Sequence, residues 1–171
     1  NLNRLISTLQ DRRAGLSNTH GRSIPLLIKI APDLDERSRA HIASVALAQN
    51  LDGLLIGNTT TTRPSHLKSR SRDETGGLSG RPLVDRSTSL LADMYRRVQG
   101  SIPLIGIGGV SSSDDAYMKI RAGASLVQLY TALIYEGPGL ISQIKFGLAA
   151  RIATEGFDNI SSVVGIDATK Y

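Results

Sequence analysis

The feature that most constrains the fold is a regular alternation of short apolar runs with longer stretches of helical periodicity. The four apolar runs lie at 25–30, 53–56, 102–107 and 124–129. Each is followed by a stretch in which apolar residues recur three and four positions apart, and a similar helical pattern precedes the first run. Strands that alternate with helices are typical of a parallel sheet built from right-handed crossovers. The pattern therefore predicts an α/β fold.

Capping residues indicate where the helices begin and end. Asp35 is suited to begin the helix after the first run, Ser87 the next helix, and a serine within 111–113 the third. Gly123 is suited to end that third helix, and Pro138 to begin the last. The predicted order is one helix and then four strand–helix units. Such a chain forms either a small open sheet or half of an eight-stranded barrel.

Composition excludes several kinds of chemistry. The chain has no cysteine, which excludes disulfides, thiolate metal ligands and a thiol nucleophile. Its histidines (His20, His41 and His66) have no metal-ligand spacing, so we expect no metal site. The net charge is +5, but aromatic residues are only 4% and acidic residues interrupt the basic stretch 63–86, so we expect no nucleic-acid binding. The longest apolar run, 102–110, is shorter than the roughly 18 residues that a membrane span needs.

Polar residues stand at the ends of the first two predicted strands. Lys29 is the only charge in its apolar run. Either its stem is buried while its ammonium reaches solvent, or it is a fixed positive charge directed into a site. Asn58 and Thr59 follow the second strand directly. They form either a solvated turn or a recognition pair, since an amide presents a donor and an acceptor in one plane to a planar heterocycle.

Glycine-rich stretches accompany the later strands. Residues 58–86 are too many for an ordinary connection, which is typical of a functional loop. Its segment 74–80 is either a flexible tip or a place where the backbone approaches a ligand closely. Residues 106–109 close the third strand, and 128–131 close the fourth. Barrels of eight strands frequently bind phosphate after their last two strands, so these turns favour a phosphate-bearing cofactor if the chain is the second half of a barrel.

Five motifs in this order resemble dihydroorotate dehydrogenase, in its class 2, membrane-associated, quinone-reducing branch. They lie at 29–34, 58–60, 74–83, 105–110 and 122–131. The resemblance extends from about residue 1 to Ile166. It implies a (β/α)₈ TIM barrel, of which residues 1–171 are the C-terminal half, with about the last four β/α units.

The resemblance also implies a function and a set of binding residues. The function is FMN-dependent oxidation of dihydroorotate to orotate with quinone as the electron acceptor, in de novo pyrimidine (UMP) biosynthesis. Asn58 and Thr59 are implied to bind the substrate. The implied FMN-binding residues are Lys29, Gly57, Gly80, Gly108, Gly109, Tyr130 and Thr131. Family members commonly have Thr or Ser at the position of Gly57, so only a backbone contact is expected there.

Parts of the family pattern have no counterpart in this sequence. In this branch the catalytic base is a Ser on a loop of the first half-barrel, and the quinone entrance is formed by N-terminal helices. Since the chain begins at Asn1 without an initiator Met, we expect it to be a piece of a longer protein that is inactive on its own. The expected location is the mitochondrial inner membrane in a eukaryote and the plasma membrane in a bacterium. The alternatives are a phosphate-binding barrel lyase or isomerase, and a non-catalytic barrel remnant.

Overall fold

The computed structural model describes all residues, 1–171. Helices and strands alternate as the sequence predicts. The elements in chain order are α1 (Leu2–His20), β1 (Leu27–Ile30), α2 (Glu36–Ala48), β2 (Gly53–Ile56), α3 (Val84–Val98), β3 (Leu104–Ile107), α4 (Ser113–Arg121), β4 (Leu126–Gln128), α5 (Thr131–Glu136) and α6 (Gly139–Thr154). Short 3₁₀ turns at Arg81–Leu83, Ile160–Val163 and Ala168–Lys170 complete the chain.

The four strands form one parallel sheet in the order β1-β2-β3-β4. Each strand therefore pairs with the next strand along the chain, and the outer edges of β1 and β4 are unpaired. In register, Lys29 lies beside Leu55, and Ile107 lies beside Gln128. This sequential parallel order is the repeating arrangement of a (β/α)₈ barrel, and it confirms the predicted α/β class.

The two faces of the sheet differ in burial. Successive side chains of a strand point to opposite faces. On one face Leu54, Ile56 and Leu104 are fully buried and belong to the same hydrophobic core as helix residues such as Leu91. On the other face Lys29 and Gln128 are exposed, and Leu126 is 64% exposed. The helices thus cover one side of the sheet, while the side that would face the interior of a barrel is open.

Helix caps agree with the sequence except at α3. The side chains of Asp35 and Ser112 cap α2 and α4 as predicted. Ser87, in contrast, is not an N-cap, because α3 already begins at Val84, directly after the turn that contains Pro82. Proline fixes a φ angle suited to a first helical turn, which explains the earlier start. The Ser87 hydroxyl is buried inside the helix.

The first, third and fourth strands are shorter than the predicted apolar runs, spanning Leu27–Ile30, Leu104–Ile107 and Leu126–Gln128. None of the helices combines the length with the apolar character that crossing a bilayer requires.

Candidate functional site

A cavity of about 440 Å³ lies where the carboxyl ends of all four strands meet. Small-molecule sites in proteins commonly have volumes of about 300–1,000 Å³, so the size suits a cofactor. Eight of the nine residues that the sequence singled out line it: Lys29, Asn58, Thr59, Gly80, Gly108, Gly109, Tyr130 and Thr131. We call it the strand-end cavity. Other lining residues, which the sequence did not single out, include Ser79, Arg81, Ser111 and Gln128.

Lys29 supplies a free positive charge to this cavity. It lies in β1 between Ile28 and Ile30, which face the core side of the sheet. Strand alternation therefore directs the Lys29 side chain to the open face, where the residue is exposed. The structure gives its ammonium no intramolecular ion pair or hydrogen bond, so all of its donors are available to a ligand. This favours the functional interpretation of Lys29.

Asp33 holds the turn that carries Asn58 and Thr59. Its carboxylate accepts hydrogen bonds from Thr60 Oγ1 at 2.5 Å and from the Thr61 backbone N–H at 2.9 Å. Arg86 of α3 pairs with the same carboxylate at 3.1 Å. Partial burial opposes ionisation, but the hydrogen bonds from Thr60 and Thr61 and the Arg86 charge outweigh it and lower the pKa of Asp33. The turn after β2 is thereby fastened to the turn after β1.

Arg63 orders the long loop that follows this turn. Its guanidinium donates hydrogen bonds to the backbone carbonyls of Glu74 at 2.8 Å and Gly76 at 2.7 Å. It also donates to the carbonyls of Thr60, Thr61 and Arg72. A planar guanidinium with five N–H donors is well suited to connect several segments of one loop. These bonds tie residues 72–76 of the loop to the turn after β2, and the loop then continues to Gly80 at the cavity.

Close packing explains two glycines of the site. A Cβ on Gly77 would lie 2.2 Å from Thr59 Oγ1, so the absence of a side chain there leaves room for the Thr59 hydroxyl. Gly57 has a φ of +128°, and a Cβ there would lie 2.5 Å from the carbonyl oxygen of Ile107. The approach of β3 therefore accounts for glycine at this position. Gly57 does not line the strand-end cavity, and its backbone contact with FMN stays a prediction.

Gly108 and Gly109 form a turn that presents backbone to the cavity and packs against α3 on its other side. Both have positive φ angles, +106° and +76°. A Cβ on Gly109 would lie 2.8 Å from the Val84 nitrogen, and one on Gly108 would lie 2.9 Å from Ser87 Oγ. Only glycine fits a turn pressed this closely against a helix. Across the cavity, Thr131 Oγ1 donates to Ser79 Oγ at 3.2 Å, which links the start of α5 to the long loop.

An ion pair joins the long loop to the turn after β3. Arg81 donates to Ser111 Oγ at 2.9 Å and to Asp115 Oδ2 at 3.1 Å. Asp115 also accepts from the Ser111 backbone N–H at 3.0 Å. Burial opposes the ionisation of Asp115, but the hydrogen bonds from Ser111 and Ser112 and the Arg81 charge lower its pKa overall. The two glycine-containing segments of the cavity are thereby held side by side.

Fold and site together define a class of protein. A sequential parallel sheet with helices on one face, a cavity at the carboxyl ends of its strands, a glycine turn after the third strand and a Tyr-Thr turn after the fourth are together typical of phosphate-binding (β/α)₈ barrels. The chain has four of the eight strands of such a barrel.

Comparison with known proteins identifies the family. The family model for dihydroorotate dehydrogenase matches residues 2–152, so the chain belongs to the dihydroorotate dehydrogenase family and the resemblance of its motifs is confirmed.

The curated relatives are quinone-dependent enzymes. The chain is 50% identical over 163 residues to the dihydroorotate dehydrogenase (quinone) of Xanthobacter autotrophicus, covering 95% of this chain and 45% of that protein. It is 51% identical to the mitochondrial dihydroorotate dehydrogenase (quinone) of Oryza sativa subsp. japonica, over 95% of this chain and 35% of that protein. It is 48% identical to the mitochondrial dihydroorotate dehydrogenase (quinone) of Mus musculus, covering 97% of this chain and 42% of that protein. The chain thus spans less than half the length of these relatives.

A solved structure agrees with this assignment. The crystal structure of DHODH from Eimeria tenella in complex with ferulenol superimposes with a TM-score of 0.91 at 40% sequence identity, covering 97% of this chain and 48% of that one. The fold is therefore part of a TIM barrel, as predicted.

Proposed function

We propose that the protein containing this chain oxidises dihydroorotate to orotate with FMN as cofactor and passes the electrons to a quinone, in de novo pyrimidine biosynthesis. Support comes from one observation above all: in a member of this family, eight residues predicted from the motifs line one cavity at the carboxyl ends of the strands. A lyase or isomerase would share the phosphate-binding turns but would not need Lys29 together with Asn58 and Thr59.

The residues of the strand-end cavity fit FMN by their chemistry. Backbone at Gly109, Tyr130 and Thr131 is suited to hold the phosphate, and backbone at Gly80 is suited to contact the flavin through a segment without a side chain. Lys29 offers an uncompensated positive charge to the electron-rich pyrimidine edge of the ring. When bound, FMN would supply the two-electron chemistry that no amino-acid side chain provides.

Asn58 and Thr59 are proposed to orient the substrate. An amide and a hydroxyl suit the alternating donors and acceptors of a dihydropyrimidine ring. Asp33 and Gly77 keep the turn in place behind them. These residues would bind and align dihydroorotate, whereas the proton would be removed by a Ser in the part of the barrel outside this chain. The quinone entrance is likewise proposed to lie in that part.

The location is proposed from the names of the relatives. The plant and mouse relatives are mitochondrial proteins, so a eukaryotic protein of this kind is expected at the mitochondrial inner membrane, and a bacterial one at the plasma membrane. No metal and no nucleic acid are part of the proposed function.

The experiment uses the complete protein, in which this chain is joined to the rest of its barrel. We expect it to contain one FMN and to reduce a soluble quinone analogue when dihydroorotate is added. Asn58→Leu keeps the side-chain size but removes the amide. We expect it to raise the KM for dihydroorotate at least tenfold while FMN stays bound, because polar groups of the substrate would be buried without the hydrogen bonds that the amide supplies.

Lys145→Met serves as a matched control, because Lys145 is exposed on α6 and does not line the cavity. A complete protein that holds FMN but turns over no dihydroorotate would favour the barrel remnant. One that holds no flavin and acts on a phosphorylated metabolite would favour the lyase or isomerase.

A further inference from the structure

A buried lysine lies directly behind the glycine turn of the cavity. Lys119, on α4, is fully buried, as are Ser87 and Thr88 of α3, which surround its ammonium. Its Nζ donates hydrogen bonds to Ser87 Oγ at 2.5 Å, to Thr88 Oγ1 at 2.8 Å and to the Val84 carbonyl at 3.2 Å. All three protons of the ammonium are therefore used, and every acceptor is neutral.

The Ser87 hydroxyl connects this ammonium to the cavity. Ser87 Oγ lies 2.6 Å from the carbonyl oxygen of Leu83 and 3.1 Å from that of Gly108, and both of these residues line the cavity. Gly109 packs on the same first turn of α3, so closely that a Cβ on Gly109 would lie 2.8 Å from the Val84 nitrogen. The lysine thus fixes the first turn of α3, against which Gly108 and Gly109 pack. Its ammonium is connected to the cavity-lining Gly108 carbonyl through one intervening group, the Ser87 hydroxyl.

Hydrogen bonding alone does not explain a lysine at this position. Placing a charge in the interior is costly unless another charge compensates it. The carboxylates that act on Lys119 are Asp115, one turn earlier on α4, and Asp85, in the first turn of α3, and neither is hydrogen bonded to its Nζ. Asp115 is already paired with Arg81. A negative charge in the cavity would supply the missing compensation.

We propose that Lys119 is a positioning residue for phosphate in the strand-end cavity: it fixes the turn at Gly108 and Gly109 and contributes a buried positive charge that favours a bound phosphate monoester. This inference rests on the proposed function, because FMN is the phosphate ester expected there. It assigns to Lys119 a role in cofactor affinity rather than in the oxidation itself.

Such a charge links phosphate binding to pH. Burial lowers the pKa of Lys119 to about 7, while Asp115 and Asp85 act in the opposite direction. A bound dianion raises that pKa, so binding takes up a proton, and affinity falls as pH rises above neutrality. A phosphate monoester has its own second pKa of about 6, so it is already dianionic in this range and does not mask the effect.

The test compares FMN with riboflavin, which lacks the phosphate, in fluorescence titrations of the flavin-free complete protein. Lys119→Met is expected to weaken FMN binding roughly tenfold, the order of magnitude for charges about 10 Å apart in a medium of dielectric about 20, and to leave riboflavin binding unchanged. In the wild type the advantage of FMN over riboflavin should shrink as pH rises above about 7, and in the variant it should not.

Two further variants separate charge from packing. The combined variant Lys119→Met, Ser87→Ala, Thr88→Val removes the two hydroxyl groups that bind the ammonium together with the ammonium itself, so it keeps the test valid if Lys119→Met alone fails to fold. Lys145→Met makes the same change in net charge at an exposed position. The combined variant is expected to lose the preference for FMN, and the control to retain it.

Equal losses for FMN and riboflavin, or a preference for FMN that is unchanged without Lys119, would overturn the inference. If the wild-type protein binds neither flavin, the proposed function fails. The inference about Lys119 is then decided by calorimetry with inorganic phosphate: weaker binding to Lys119→Met than to wild type supports it, and equal or absent binding overturns it.

Discussion

Replacing Lys29 by Met in the complete enzyme removes a positive charge from the strand-end cavity and keeps most of the apolar stem. Lys29 lines the cavity and forms no ion pair within the chain. At 4 Å, a unit charge pair is worth about 4 kcal/mol at a dielectric of about 20 and about 1 kcal/mol in water. Negative charge that develops on the flavin would lose this stabilisation, so the rate of flavin reduction should fall by between about fivefold and a thousandfold.

Anaerobic stopped-flow measurement of flavin reduction by dihydroorotate isolates this step from quinone chemistry. A closed barrel excludes water from the cavity, so we expect a loss nearer the upper figure. Lys145→Met should reduce flavin at the wild-type rate. A Lys29→Met enzyme that binds FMN and reduces it within twofold of wild type would refute a role for this charge in the reaction.

Three other outcomes test separate contacts. Arg63→Met should raise the KM for dihydroorotate with little change in FMN content, because the loop loses its guanidinium bonds; steady-state kinetics measure this, and an unchanged KM would contradict it. Asp33→Asn should lower the free energy of unfolding by about 1–2 kcal/mol near neutral pH, a figure reduced for partial exposure. Because the native pKa of Asp33 is lowered, its contribution to the free energy of unfolding is present above its ordinary pKa of 3.8 and is lost as pH falls through the native value. The stabilities of wild type and variant, measured by denaturant titration, should therefore converge in acid. A difference in stability that does not change with pH would contradict this. The isolated 171-residue chain should bind FMN poorly and be inactive, because two sheet edges and one sheet face are uncovered; strong flavin absorbance after its purification would contradict this.

Local patterns in the sequence predict the elements and the place of the site. Each apolar run ends in residues that parallel strands must bring to one edge, which is why Lys29, Asn58 and Gly109 could be grouped before their distances were known. The caps at Asp35 and Ser112 are equally local. The prediction that Ser87 caps α3 is wrong because Pro82 starts the helix earlier.

The supporting contacts could not be predicted in the same way. Arg81 pairs with Asp115 across 34 positions, and Lys119 reaches Ser87 across 32, so neither partner follows from helical or strand periodicity. One local signal does exist. Lys119 lies three residues after Ala116 and directly before Ile120, which are both buried, so the helical spacing places a lysine on the apolar face of α4.

The most direct measurement is a crystal structure of the complete protein purified with its flavin. We expect the FMN phosphate to accept hydrogen bonds of about 3 Å from the backbone at Gly109, Tyr130 and Thr131, with the ammonium of Lys29 beside the pyrimidine edge of the ring. A flavin phosphate bound away from these two turns, or a complete protein whose strand-end cavity takes up no flavin, would contradict the account.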